Sequence, residues 1–203
     1  ILKGRYNDDL IFNKINYKEN LNTIQVSNLI LSNNYKIKNV DTVILNYENL
    51  NNKLNNLKFQ KKNDNHYKLS GSEFDARLFI SNYLKRENTE NLFNRFANLN
   101  SKILIQLNNI FIDKNSALTA LDGNILIKEN NISFVEINSK IDQKNDFSLS
   151  VKTNSKDEKI TNLYIEEPES FIKNYKFIKG FKGGKLSYGS IEKNNEAISN
   201  LKI

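Results

Sequence analysis

The sequence predicts a mainly β protein, in which an antiparallel meander forms a curved, groove-like β-sheet with two short helices. Short runs of alternating apolar and polar residues recur along most of the 203 residues, and clusters of Asn, Asp, Gly and Lys separate them. With 38% hydrophobic residues and one Pro, the chain can bury a core as one large unit or two small ones. No stretch reaches the roughly 18 consecutive apolar residues that a membrane-spanning helix requires.

The clearest strand signal lies near residues 147–152. Phe147, Leu149 and Val151 alternate there with two serines and a lysine, which predicts a strand with one dry face and one wet face. Connections of only a few residues between such runs favour hairpins, and successive hairpins make an antiparallel meander. Other runs with strand character lie near residues 10–17, 22–31, 35–47, 57–61, 66–71, 102–107, 125–127, 132–141, 158–166 and 184–190.

Two segments have helical rather than strand spacing. Ser72 or Asp75 can cap a short helix that runs to about Leu84. A second helix is predicted from Pro168, which suits a first helical turn, to Gly180. The glycines at 180, 183 and 184 are predicted to end this helix in a left-handed conformation and to form a tight turn into the next strand.

The charge of the chain is a weak indicator of partners. The formal net charge is +7, which ordinarily suggests nucleic acid or anionic membranes. However, Asn, Lys and Ile dominate the composition, as an AT-rich genome alone would produce, and Arg occurs only four times. We therefore expect no nucleic-acid partner. The absence of Cys excludes disulfides and thiolate metal sites and leaves the redox compartment open.

Residues that could carry chemistry are few and scattered. The single histidine, His66, lies in a polar turn and lacks the partners that a triad or a zinc site needs. Glu166, Glu167 and Glu169 cluster beside Pro168 and could hold Ca²⁺, but acidic residues are also what the N-terminus of a helix favours. We expect no catalytic, cofactor or metal site, and no enzyme.

The dry face of such a sheet must be covered. The sheet can fold into a sandwich, close into a barrel, or curve into a groove that accepts an apolar ligand. We expect one set of alternating apolar residues to share a face and to line a lipid groove: Ile103, Ile105, Leu107, Ile125, Ile127, Phe147, Leu149 and Val151.

The segment from about Ala117 to Tyr188 contains an ordered series of features. The run Leu121–Ile125 precedes alternating strands, acidic residues and a short helix, and the run Phe177–Ser187 then places two adjacent glycines before a strand. Upstream, Leu69–Arg77 leads into the first predicted helix. Over about two-thirds of the chain, this series resembles the AsmA-like C-terminal region of Gram-negative envelope proteins of the AsmA, TamB and YhdP types.

The resemblance implies a non-enzymatic periplasmic protein that is anchored in the inner membrane and built as a curved β-groove. Such a groove carries phospholipid acyl chains between the inner and outer membranes or assists outer-membrane assembly, with envelope proteins as further partners. The chain begins with Ile and ends in an unfinished alternation, so we expect a fragment whose anchor lies outside it. Residues 1–203 would then be one continuous groove segment, with sub-units 1–99 and 100–203. The alternative is a structural or adhesive β-sandwich without a lipid ligand.

Overall fold

The computed structural model describes residues 8–49, 52–84, 92–114, 116–169, 172, 183–194 and 196–203. The described residues are mainly β, as predicted, and their strands form a single sheet of 13 strands. The strands are β1 (Leu10–Glu19), β2 (Asn22–Leu31), β3 (Ile37–Asn39), β4 (Thr42–Glu48), β5 (Leu54–Asn63), β6 (His66–Asp75), β7 (Ser101–Phe111), β8 (Ala117–Lys128), β9 (Asn131–Ile141), β10 (Asn145–Thr153), β11 (Lys159–Glu166), β12 (Lys185–Lys193) and β13 (Glu196–Lys202).

The sheet follows the order of the chain almost throughout. The strand order is β1-β2-β4-β5-β6-β7-β8-β9-β10-β11-β12-β13, with β3 paired to β2, and the sheet is curved and open. Every pair is antiparallel except β6 and β7, which are parallel. The predicted meander is therefore correct except at this step, where parallel strands need a crossover and residues 76–100 provide it. The sheet continues across the predicted boundary between residues 99 and 100.

The crossover begins with the one α-helix among the described residues, α1 (Arg77–Leu84). As predicted, Asp75 caps it, because the backbone N–H of Arg77 donates to Asp75 Oδ1 at 3.2 Å. A 3-10 turn, Leu92–Arg95, follows before β7. Ser72, the other proposed cap, lies within β6.

The prediction of two short helices is not confirmed. The second helix falls largely on residues 170–182, of which only Ile172 is described. The backbone N–H of Ile172 donates to the carbonyl of Pro168 at 2.9 Å, which is the spacing of one helical turn. The turn that enters β12 matches the prediction at Gly183 and Gly184, whose φ values are 65° and 83°. Gly180 lies outside the described residues.

A β-bulge interrupts the alternation in the middle of the sheet. The register between β8 and β9 shifts between Thr119 and Asp122, and Ala120 has a φ of 49°. The extra residue turns both Leu118 and Leu121 toward the buried side of the sheet. Ser139, a buried polar residue on the same side, donates its hydroxyl to the Thr119 carbonyl at 2.8 Å, so the polar backbone of the bulge is satisfied.

Candidate functional site

One face of the sheet carries an apolar row that crosses all strands except β3. The pairings between neighbouring strands place one residue per strand in this central row, and all but Gly123 have an apolar or aromatic side chain. Its members are Ile15, Val26, Val43, Phe59, Leu69, Ile105, Gly123, Ile137, Leu149, Leu163, Tyr188 and Leu201. We call this side of the sheet the apolar face.

The opposite face is polar at the same level. One register step away, all but one of the residues in the matching row are polar or glycine, the exception being Leu104. The sheet therefore carries apolar side chains on one face and polar side chains on the other along these two rows, as a period of two requires. The row contains Lys14, Ser27, Thr42, Gln60, Lys68, Leu104, Asn124, Glu136, Ser150, Asn162, Gly189 and Asn200.

The eight residues predicted to share a face do share the apolar face, but most of them are not open to a ligand. Three are half-buried: Ile125, Leu149 and Val151. The other five are buried inside the protein: Ile103, Ile105, Leu107, Ile127 and Phe147. The prediction that all eight line a groove therefore needs correction for these five, which form core.

Residues of the crossover belong to the same buried cluster as these five residues. Leu99 is buried in the same cluster, and Phe93 and Phe96 pack against it. Ile172, after β11, also joins this cluster and is only 1% exposed. The middle of the apolar face is thus covered by the protein's own side chains.

Hydrogen bonds hold the end of the crossover between two distant parts of the sheet. On one side, the backbone N–H of Ala97 donates to the carbonyl of Ile37 in β3 at 2.9 Å. On the other, Asn130 in the β8–β9 turn accepts from the N–H of Leu99 at 2.6 Å and donates to the carbonyl of Phe96 at 3.2 Å. Because both parts contact one short segment, residues 96–99 bridge the bend.

The apolar face is open at its N-terminal side, on β1, β2 and β4. Six residues form two neighbouring rows there, and none of them belongs to the buried cluster or packs against it. Tyr17 and Ile24 are 50% and 39% exposed, and the other four are half-buried. We call this surface the open apolar patch, and it consists of Ile15, Val26, Val43, Tyr17, Ile24 and Leu45.

The sequence predicts strands in these three segments but does not single out the six residues as a site. The signal was present, because Ile15 and Tyr17 alternate with Lys14, Asn16 and Lys18 as clearly as the residues of β10 do. What the sequence lacked was any indication that the crossover covers one part of the apolar face and leaves another uncovered.

Two glycines shape the apolar face on either side of β7. A Cβ at Gly71 in β6 would lie 2.1 Å from the backbone oxygen of Asn56, and one at Gly123 in β8 would lie 2.5 Å from that of Glu136. At both glycines the backbone of the neighbouring strand lies so close that a side chain would collide with it. This close approach occurs at the strands where the sheet is covered by the crossover.

The start of the crossover is fixed by a network of polar side chains around Asp75. Arg77 donates from Nε to Oδ1 at 2.8 Å and from Nη2 to Oδ2 at 2.5 Å, and Asn49 Nδ2 donates to Oδ2 at 2.6 Å. The Asp75 backbone N–H donates to the buried Asn55 Oδ1 at 2.7 Å. These hydrogen bonds, chiefly those from Arg77, lower the pKa of Asp75 to about 2. The network joins the β4–β5 turn to α1.

The other polar residues singled out by the sequence do not converge on a site. His66 is exposed, and its Nδ1 lies 2.7 Å from Asn63 Oδ1. Glu166 pairs with Lys185 at 3.1 Å, which lowers the pKa of Glu166, while Glu167 accepts from Asn145 at 3.0 Å. Among the described residues, no group of three His, Cys, Asp or Glu side chains is placed to hold a metal ion.

Comparisons with known proteins supply no relative. The chain matches no known protein family, no curated protein and no solved structure. Within the described ranges, no helix has the length and apolar character needed to cross a membrane. The functional argument therefore depends on the geometry of the sheet.

Proposed function

We propose that the open apolar patch binds phospholipid acyl chains, and that the chain is a non-enzymatic segment of a periplasmic AsmA-like protein. The observation that supports this proposal is the central row itself, which stays apolar across 12 strands of a curved sheet whose other face is polar. The resemblance of Ala117–Tyr188 to the AsmA-like region supports the compartment, the inner-membrane anchor outside the chain and the involvement of envelope proteins.

The patch suits an acyl chain for a simple energetic reason. Moving apolar surface out of water releases about 25 cal/mol per Å², so an extended hydrocarbon chain gains free energy on any dry strip that is long enough. No polar group on the patch fixes one lipid, because both of its rows are apolar apart from the Tyr17 hydroxyl. Binding without specific contacts also lets a lipid move on, as transport or membrane assembly requires.

The covered centre restricts the route. An acyl chain on β1–β4 meets the crossover and the residues that pack with it before it reaches the C-terminal strands. Transfer along the whole row would therefore need the crossover to move away from the apolar face, whereas binding to the open apolar patch needs no movement.

The alternative function, a structural or adhesive β-sandwich without a lipid, has less support. A sandwich needs two facing sheets, and the described strands form one. An adhesive role does not require a sandwich, so the presence or absence of bound lipid is the observation that distinguishes the two functions.

Two matched substitutions in β4 test the proposal. Val43→Asp places a carboxylate within the open apolar patch, and Ile44→Asp places one on the opposite face of the same strand. We expect Val43→Asp to reduce the phospholipid that co-purifies from a Gram-negative host by at least tenfold, measured by mass spectrometry of lipid extracts, because a desolvated charge is costly. Ile44→Asp should retain lipid.

Circular dichroism must show that both variants are folded. If the folded wild-type chain carries no phospholipid, or if both variants lose it equally, the proposal is wrong and the adhesive alternative is favoured. A charge at Leu149 is a poorer test, since Leu149 packs against the buried cluster and its replacement by Asp would perturb the fold itself.

A further inference from the structure

One part of the polar face carries apolar side chains among lysines. Leu104 of β7 is 41% exposed, and Leu126, in the neighbouring row on β8, is 36% exposed. Residues that pair directly with these two, or that follow them on the same face, add four lysines and a phenylalanine. We call this surface the basic strip, and it consists of Lys68, Lys102, Leu104, Leu126, Lys128, Phe134 and Lys152.

The positive charge of the basic strip is not neutralised by the described part of the protein. None of its four lysines forms an ion pair with another described residue, whereas Lys140, elsewhere on the same face, pairs with Asp146. The ammonium group of Lys152 lies 5.6 Å from the centre of the Phe134 ring, which keeps a charge beside an apolar surface. Glu136 is the only acidic residue that the two rows of the strip place on β6–β10. The strip is therefore complementary to an anionic partner that also accepts apolar side chains.

We infer that the basic strip binds the surface of an anionic phospholipid bilayer. In this arrangement the four ammonium groups contact lipid phosphates, and the leucine and phenylalanine side chains enter the interfacial layer beneath them. The strip lies on the opposite face of the sheet from the open apolar patch. The inference therefore does not depend on whether that patch binds acyl chains.

A bilayer fits the basic strip better than a protein partner does. Each of β7–β10 already pairs with a strand on both sides, so a partner cannot add a strand there. The strip offers seven residues, whereas a stable protein interface takes about 20–30 residues from each side. Adsorption to a membrane needs no such area, because each lysine near an anionic surface contributes its own attraction.

Charge reversal on the strip gives the first test. We expect the wild-type chain to sediment with vesicles of phosphatidylcholine that contain about one-third phosphatidylglycerol, and not with phosphatidylcholine alone. K128E/K152E reverses two exposed lysines of the strip and should lower the partition coefficient at least about thirtyfold. K14E/K18E makes the same change in net charge on the polar face of β1, and should lower it less than about threefold because β1 lies more than a Debye length away.

Three results of this experiment would overturn the inference. The first is a wild-type chain that does not sediment with the anionic vesicles, and the second is an equal loss of binding in the two double variants. The third is a chain that ignores the vesicles but binds polyglutamate through the strip, which would assign the strip to an acidic protein. Because all four substituted lysines are exposed, circular dichroism should show both variants folded as wild type.

The same variants separate this contact from the proposed function of the open apolar patch. K128E/K152E should lose vesicle binding and keep co-purifying phospholipid, and Val43→Asp should do the reverse. If Val43→Asp alone abolishes vesicle binding, the vesicles bind through the open apolar patch, so the inference is wrong and the proposed function stands. If no phospholipid co-purifies with the wild-type chain, the proposed function fails and vesicle binding by the strip still decides the inference.

A single fluorophore tests which surface contacts the membrane. The chain has no Cys, so L126C and N16C each carry one thiol for an environment-sensitive label. The label at residue 126 should shift its emission to shorter wavelength when anionic vesicles are added, because it enters the interfacial layer. The label at residue 16, which is exposed on the same face of β1, should not shift. Equal shifts at the two positions, or none at residue 126, would overturn the inference.

Discussion

Strands β1, β2 and β4 have the same alternating pattern as strands β7–β10. Their apolar side chains stay partly exposed, however, whereas most of those in β7–β10 are buried. Ile15 and Ile105 occupy the same central row on the same face, yet Ile105 is 7% exposed and belongs to the buried cluster while Ile15 does not. The difference lies in what covers them, because the buried cluster, to which the crossover contributes, includes residues of β7–β10 and none of the open apolar patch on β1, β2 and β4. An alternating strand therefore provides a dry face, and the rest of the chain decides whether that face becomes core or a binding surface.

Replacing isoleucine by aspartate should lower the free energy of unfolding much more in a covered strand than in an open one. Ile105→Asp buries an unpaired carboxylate and should lower the free energy of unfolding by more than about 4 kcal/mol, enough to prevent cooperative folding. Ile15→Asp leaves its carboxylate near water and should cost about 1 kcal/mol or less. Urea denaturation followed by circular dichroism measures both. Similar costs at the two positions would mean that β1 belongs to the core.

Glycines give a second comparison, between a position where the backbones approach closely and one with space for a side chain. Gly71→Ala should lower the free energy of unfolding by up to about 3 kcal/mol, since its Cβ would meet the Asn56 backbone oxygen and β5 or β6 would have to shift. Gly189→Ala in β12 is the control, because its Cβ would have only one neighbour, Asn162 Oδ1 at 3.7 Å. We expect Gly189→Ala to stabilise the chain slightly by reducing backbone freedom in the unfolded state. Thermal melts that rank the two variants in the opposite order would contradict the close backbone approach at Gly71.

The free energy of unfolding should depend on pH more strongly through Asp75, at the start of the crossover, than through a carboxylate on the open strands. The pKa of Asp75 is about 2 in the folded chain and 3.8 ordinarily, so its ionised form stabilises the fold by roughly 2 kcal/mol at neutral pH. The sign follows from the lowered pKa, because the contribution is complete above pH 3.8 and is lost as the pH falls toward 2. Asp75→Asn should therefore be less stable than wild type at pH 7, with the difference shrinking toward pH 2.

Asp41, at the start of β4, is the matched position on the open side. Amide hydrogen bonds from Asn28 and Asn39 lower the pKa of Asp41, and no arginine of the described ranges contributes to this shift. We expect Asp41→Asn to have a smaller and less pH-dependent effect in the same urea titrations. An Asp41→Asn variant that loses as much stability as Asp75→Asn would show that the β3–β4 corner is anchored as firmly as the crossover.

Local patterns in the sequence were sufficient for much of the fold. The period of two in β10 determines which face of that strand Phe147 and Leu149 occupy, because successive side chains in a strand must point to opposite faces. The cap at Asp75 and the left-handed glycines before β12 are equally local, since each depends on the geometry of a few consecutive residues. None of these features depends on which strands pair.

Contacts between residues far apart in the chain determined the features of the fold that local patterns do not predict. Nothing near β6 or β7 in the sequence indicates that they pair in parallel, and the bulge at Ala120 depends on the register between β8 and β9. The bridge from Ile37 through residues 96–99 to Asn130 joins three segments far apart in the chain. Because hydrophobic burial has no direction and no sequence range, alternation determined which residues form the apolar face, whereas only the tertiary structure decided which of them the crossover buries.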